Sequence, residues 1–193
     1  VDQRCHGRSA SPRRIGPNTL RSAALDLVRT LGVTPDVLAG YALGGKVVLE
    51  LVRQAREAGV AEPGRTFVLD SAPWADPALG EVHDRHGMLG LLRQVPARLE
   101  SREQLVDALA PLMKQPPKPV VRWLGTNLVP EDPNNPTGPL VWQWDLDGCE
   151  ELFADYAARD MWEVLEEPPG TPDARVELIT AERSLPRWPA GHR

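Results

Sequence analysis

Long hydrophobic runs are missing from this chain: nothing in its 193 residues approaches the roughly 20 apolar residues that a membrane-spanning helix needs. Cysteine is scarce. Cys5 and Cys149 make no metal-ligand spacing and no disulfide framework, so a reducing compartment is the default and neither a metal nor a cofactor is expected. An excess of positive charge is missing too. A formal net charge of -5 and an isoelectric point of about 5.4 argue against a nucleic-acid surface. The loose group Arg4, Arg8, Arg13, Arg14 and Arg21 reads as solvated surface. No internal repeat and no signal peptide are visible. The chain begins with Val1, and the expectation is a fragment whose N-terminal part is missing.

What is present is ordinary for a globular domain: 41% hydrophobic and 25% charged residues, in a length sufficient for one sizeable core. Twenty prolines cut the chain into short elements. Leu20, Ala23, Ala24, Leu27, Val28 and Leu31 share one helical face, and Gly32 ends the pattern. Residues 36–40 make a short apolar strand. Leu43, Val47, Val48, Leu51, Val52 and Ala55 define a helix over 43–58, closed by Gly59. Residues 66–70 are a second strand and 176–180 a third. Helix and strand alternating in this way predict a parallel sheet covered by helices, with 36–40 beside 66–70. Between Leu79 and Val129 the pattern is helical in short pieces broken by proline. Residues 141–146 alternate like a strand or hairpin arm, and Cys149 to Glu166 reads as one helix. A helical excursion over 79–166, inserted between core strands, is where an α/β enzyme places a lid.

The segment Gly40-Tyr41-Ala42-Leu43-Gly44 sits where the first strand ends and a helix opens. A nucleophile elbow, G-x-S-x-G, needs that context. Small residues two before and two after the central position let strand and helix pass closely. Gly40 and Gly44 supply them, and Gly45 relieves the helix start. The hydroxyl is absent, because Ala42 occupies the centre. Alanine cannot attack a carbonyl, so no acyl-enzyme forms there. The backbone N–H of Leu43, at a helix N-terminus, would still face an oxyanion. A plain strand-to-helix turn with glycines explains the same five residues. So does most of a P-loop, Gly40-x-x-x-x-Gly45-Lys46, but Val47 stands where that motif needs a magnesium-binding hydroxyl.

Further segments share a pattern with the elbow. Asp2-Gln3-Arg4-Cys5-His6-Gly7-Arg8-Ser9 is similar to the D-x-R-x-H-G-x-S stretch after an early strand of α/β hydrolases. Gly40 to Lys46 resembles a G-H-S-M-G-G-K elbow. Leu69-Asp70-Ser71-Ala72-Pro73, Thr126-Asn127-Leu128-Val129, Val141 to Leu146 and Ala181-Glu182-Arg183-Ser184 follow in matching order. From Asp2 to about Trp188 the chain resembles the α/β-hydrolase branch of α/β-hydrolase domain-containing protein 11 and small bacterial esterases. The resemblance implies an α/β-hydrolase fold, with residues 1–193 as a partial domain lacking its first strands and its last strand and helix. It implies a serine esterase or thioesterase ancestor.

In that branch the triad acid can follow the strand after the elbow. That position is Asp70 here; a strand-end Asp capping the next turn is the alternative. After the third strand only Glu182 is offered. Ala190-Gly191-His192 resembles the segment that carries the catalytic histidine, although it lies close behind Trp188; a frayed terminus is the other explanation. Tyr41 and Ala42 replace the usual histidine and serine. His83 and His86 fall in the expected lid and read as surface residues. Trp142 and Trp144 read as lid or core packing, with a substrate-facing tryptophan as the alternative. The functional expectation is a non-catalytic pseudo-esterase that binds an acyl ester or serves as an assembly subunit with protein partners. The first alternative is an esterase or thioesterase whose serine was changed to alanine, and the second a P-loop NTPase. Relatives in mitochondria and plastids imply an organellar location, with a cytoplasmic one as the alternative.

Overall fold

The computed structural model describes residues 1–9, 16–77, 87–113, 118–184 and Trp188. They fall into two compact units. One comprises Ile15–Pro77 and Glu151–Arg193, with Val1; the other comprises Asp2–Arg14 and Ala78–Glu150.

The first unit holds α1 (Leu20–Leu31), β1 (Val37–Tyr41), α2 (Leu43–Ala58) and β2 (Arg65–Leu69) in succession. Thr19 caps α1 by accepting the Ser22 N–H, and Gly32 closes it in the left-handed conformation. The strands β1, β2 and β6 (Arg175–Ile179) form a parallel sheet in that order. Each lies within one residue of its expected position, and α2 occupies the expected span. The sheet registers Val37 with Arg65 and Arg65 with Arg175. Strand β2 stops before Asp70 because Asp70 takes a positive φ of 45° and leaves the ladder. Leu20, Ala24, Val47, Leu49, Val52 and Val68 are fully buried and make the core between α1, α2 and the sheet. The α1 N-terminus is tied down by Asp155, whose carboxylate accepts the Leu20 N–H at 2.9 Å.

The expected single helix over Cys149 to Glu166 is two: α6 (Leu146–Ala158) and α7 (Trp162–Glu166). The break has a physical cause. The buried Lys46 ammonium takes the carbonyls of Tyr156 and Arg159, and the Met161 N–H donates to Pro73 instead of continuing the helix. Residues Glu151 onward belong to the first unit, although they were expected in the insertion.

The second unit was expected to be helical up to Val129. It does contain α3 (Met88–Leu92), α4 (Arg102–Leu109) and α5 (Lys118–Gly125), but one strand lies between α3 and α4 and two more follow α5. β3 (Arg98–Leu99), β5 (Leu140–Trp142) and β4 (Leu128–Pro130) make an antiparallel sheet in that order. Two- and three-residue strands are too short to show a period of two, so helical pieces dominate the sequence pattern. Leu92, Leu99, Leu105, Leu109, Leu124 and Leu128 form this unit's core. The N-terminal segment joins it. Asp2 closes a turn by accepting the Arg8 N–H at 2.9 Å, and His6 bridges Trp144. Trp142 and Trp144 meet at 5.4 Å between ring centres, tilted by 51°, and both pack against this core. His83 and His86 lie outside the described residues. No helix among the described residues is long and apolar enough to cross a membrane.

Glycine at position 40 is a steric demand. A Cβ there would overlap the backbone of Gly44 and sit 2.8 Å from the Gly45 nitrogen. Backbone atoms cannot swing aside as a side chain can. Gly40→Ala is therefore expected to cost about 2–4 kcal/mol. Gly32→Ala meets open space and only a positive φ of 66°, and should cost about 1–2 kcal/mol. Urea unfolding midpoints at unchanged slope test the ranking. A Gly40→Ala protein no less stable than Gly32→Ala would show that β1 and α2 do not pass so closely.

Candidate functional site

One residue separates β1 from α2. Ala42 lies between Tyr41, the last strand residue, and Leu43, the first helical one. Its backbone has φ 49° and ψ -116°, a conformation that L residues rarely adopt. Neighbouring bonds fix it there. The Ala42 N–H donates to the Leu69 carbonyl at 3.1 Å, and the Ala42 carbonyl accepts the Gly45 N–H at 2.9 Å. Gly45 lies against Ser71: a Cβ at Gly45 would stand 2.7 Å from the Ser71 hydroxyl oxygen. Leu43 is the first residue of α2, where a backbone N–H has no partner inside its own helix.

Asp70 stands at the same level on the adjacent strand, because Tyr41 registers with Leu69. It is also strained, with φ 45°. Its N–H donates to the Ile179 carbonyl at 2.7 Å. One carboxylate oxygen accepts the Ala181 N–H at 3.1 Å, and the other accepts the Ser184 hydroxyl at 3.1 Å. Each oxygen keeps a lone pair for a further donor. Glu182, the alternative acid, lies exposed in the turn that serves Asp70 in this way. His192 lies outside the described residues. The structure thus brings Ala42, Leu43, Gly40, Gly44, Gly45 and Asp70 to the carboxyl end of the parallel strands. That end is where ligands bind in open α/β sheets. A cavity of about 790 Å³ against Glu62, Thr66 and Arg175 opens at the other end and is remote from these residues.

No protein-family model matches the sequence, and no curated protein does. Solved structures do. A marine microorganism esterase superimposes with a TM-score of 0.67 at 17% identity, over 94% of this chain and 74% of that one. E-2-(acetamidomethylene)succinate hydrolase gives 0.60 at 16% identity, over 93% and 71%. The chain has the α/β-hydrolase fold.

Within that fold the P-loop alternative fails on geometry. A single residue between strand and helix leaves no loop to wrap a phosphate. Nor is Lys46 available to one. Its ammonium group donates to the carbonyls of Trp74 at 2.8 Å, Tyr156 at 2.8 Å and Arg159 at 2.6 Å, and lies 4.6 Å above the Tyr156 ring. This buried cation was missed in the sequence. The available signal was a pair of charged residues four apart, Lys46 and Glu50, within a run of α2 that is buried from Gly45 to Val52. Glu50 is matched by Arg53 at 2.7 Å.

The Cys149 thiol is not poised to act as a nucleophile. Burial pushes the Cys149 thiol up to about 12, with the nearby Cys5, Asp145 and Glu150 adding to the effect. A thiol with that pKa is not ionised near neutrality. Among the described residues, no three His, Cys, Asp or Glu side chains are grouped to hold a metal ion.

Burial lowers the Lys46 pKa from its ordinary 10.5 to about 8, while Asp160, Asp76 and Asp155 oppose the shift. The sign for stability follows. Between about pH 8 and 10.5 the unfolded chain holds a proton that the folded chain has released, so stability rises with pH in that window. Below pH 8 the cost of burying the charge is present in full. The unfolding free energy of the wild type, minus that of Lys46→Met, should therefore grow from pH 8 to 10.5 by roughly 1–3 kcal/mol. Chemical denaturation across that range checks it, and a flat or falling difference would contradict the burial of this charge.

Proposed function

We propose that this chain is an esterase- or thioesterase-type hydrolase domain whose nucleophile has been replaced by Ala42, so that it accepts an acyl ester without cleaving it. The observation that carries this is the Ala42 backbone, at φ 49° and ψ -116°. Such a conformation costs on the order of 1–3 kcal/mol and persists only where the surroundings enforce it. Alanine gains nothing from it. A serine would gain display: its Oγ would stand clear of strand and helix at the sheet's carboxyl end, beside the first N–H groups of α2. The two neighbours named above are described as an esterase and a hydrolase, which supports a hydrolase ancestry over an assembly role.

The residues suggest their parts. A substrate carbonyl oxygen would take the Leu43 N–H, aided by the helix N-terminus. Asp70, with both oxygens already held and lone pairs to spare, would orient a histidine. The sequence offers His192 for that role, by resemblance. Without a hydroxyl at position 42, the acyl ester stays bound and intact.

As it stands, the protein should hydrolyse p-nitrophenyl acetate at the buffer rate and resist a fluorophosphonate probe. Ala42→Ser should create turnover and stoichiometric labelling. Asp70→Asn added to Ala42→Ser should then lower kcat by about 10³–10⁴. Labelling of the unaltered chain at any serine would place the nucleophile elsewhere. A folded Ala42→Ser protein that stays inert would favour a purely binding role. Turnover indifferent to Asp70→Asn would move the acid to Glu182.

A further inference from the structure

We propose that Lys46 is a positioning residue of the carboxyl-end site: its ammonium group clamps both the segment after Asp70 and the end of α6 to the elbow helix. The catalytic consequence rests on the esterase reading above; the clamp itself does not. Lys46 lies in the first turn of α2, four residues after Ala42. Its three acceptors come from two separate stretches of chain. Trp74 lies four residues after Asp70, and Tyr156 and Arg159 flank the end of α6.

Those two stretches are also bonded to each other. The Asp76 N–H donates to the Ala157 carbonyl at 2.8 Å, and the Met161 N–H donates to the Pro73 carbonyl at 2.7 Å. Residues 73–76 and 157–161 therefore form one seam, and Lys46 fastens that seam to the elbow helix. An ammonium group has three donors and here meets three carbonyls, so its hydrogen-bonding capacity is matched. Asp76, Asp155 and Asp160 act on it through space. No apolar side chain could substitute, because three carbonyls, that of Tyr156 buried and those of Trp74 and Arg159 partly buried, would lose their partner at once.

The link to the site is Asp70. Its φ of 45° is strained, and strained backbone relaxes when its surroundings loosen. On one side Asp70 is held by Ile179, Ala181 and Ser184. On the other side the chain runs through Ser71, packed on Gly45, to the clamped Trp74. Release of Trp74 frees that side to relax and turns the Asp70 carboxylate from the level of residue 42.

The test uses full-length protein with two readouts. In the native background, Lys46→Met should speed amide hydrogen exchange at Asp76 and Met161 at least tenfold, with β1 and β2 amides unchanged. Lys46→Gln serves the same purpose should Lys46→Met fail to fold, since it keeps two donors. Lys46→Arg, which keeps charge and donors, should restore most of the protection. In the Ala42→Ser background, the Lys46→Met or Lys46→Gln change should lower kcat for p-nitrophenyl acetate 10- to 100-fold with KM within twofold, and Lys46→Arg should recover it. Exchange at Asp76 and Met161 equal to the parent overturns the clamp. Faster exchange with unaltered kcat leaves a structural tie and overturns the positioning role. An Ala42→Ser protein without turnover counts against the esterase reading, while the exchange measurement still decides the clamp.

Discussion

The close passage of β1 against α2 is the constraint on which the rest of this site depends. Gly40 packs on the backbone of Gly44 and Gly45, and only one residue turns the chain from strand to helix. A turn of that length cannot be made with ordinary dihedral angles, so Ala42 is forced to a positive φ. The same passage sets Gly45 on Ser71, which fixes the chain directly after Asp70. Two strained non-glycine residues therefore stand side by side at the ends of adjacent parallel strands. Alanine has no local preference for such a conformation, and aspartate only tolerates it. Both are imposed by packing beneath them, where Val47, Leu49, Val52 and Val68 are almost fully buried.

Much of this was legible in the sequence, and the parts that were not share a cause. The parallel strands and α2 were readable because each is long enough to show its period, and because glycine marks the ends of α1 and α2. The one-residue turn from β1 to α2 was readable because steric need leaves small residues at fixed spacing. The place of Asp70 at a strand end was legible, but its partners were not. Its hydrogen bonds come from Ala181 and Ser184, more than a hundred residues away, and no local pattern encodes them. The antiparallel sheet of Arg98–Leu99, Leu128–Pro130 and Leu140–Trp142 was not legible, since strands so short have no period. The break of the α6 region at Arg159 was hidden for a different reason. A lysine on another helix, Lys46, takes the carbonyls that would have continued it.

Charge buried in the first unit is used to hold backbone. Lys46 holds three carbonyls. Glu62 accepts the N–H groups of Gly170 and Thr171 while pairing with Arg56. Asp155 holds the start of α1. In each case a charged side chain meets main-chain groups that no sheet or helix satisfies, where an orphaned group would cost about 1–3 kcal/mol. Such residues are weak devices for net stability, because desolvation offsets most of what they gain. Their effect is geometric, since they fix irregular segments that apolar packing alone would leave free to slide.

That division of labour also governs the turn at Ala42. The close contacts of Gly40 and Gly45, the Lys46 hydrogen bonds and the Asp70 bonds do not involve the Ala42 side chain. Strain at Ala42 is thus a property of the scaffold, and among substitutions at that position only glycine would relieve it without moving β1 from α2. By the same logic the Leu43 N–H and the Asp70 carboxylate hold their places at the carboxyl end of the strands through the backbone and through the bonds from Ala181 and Ser184.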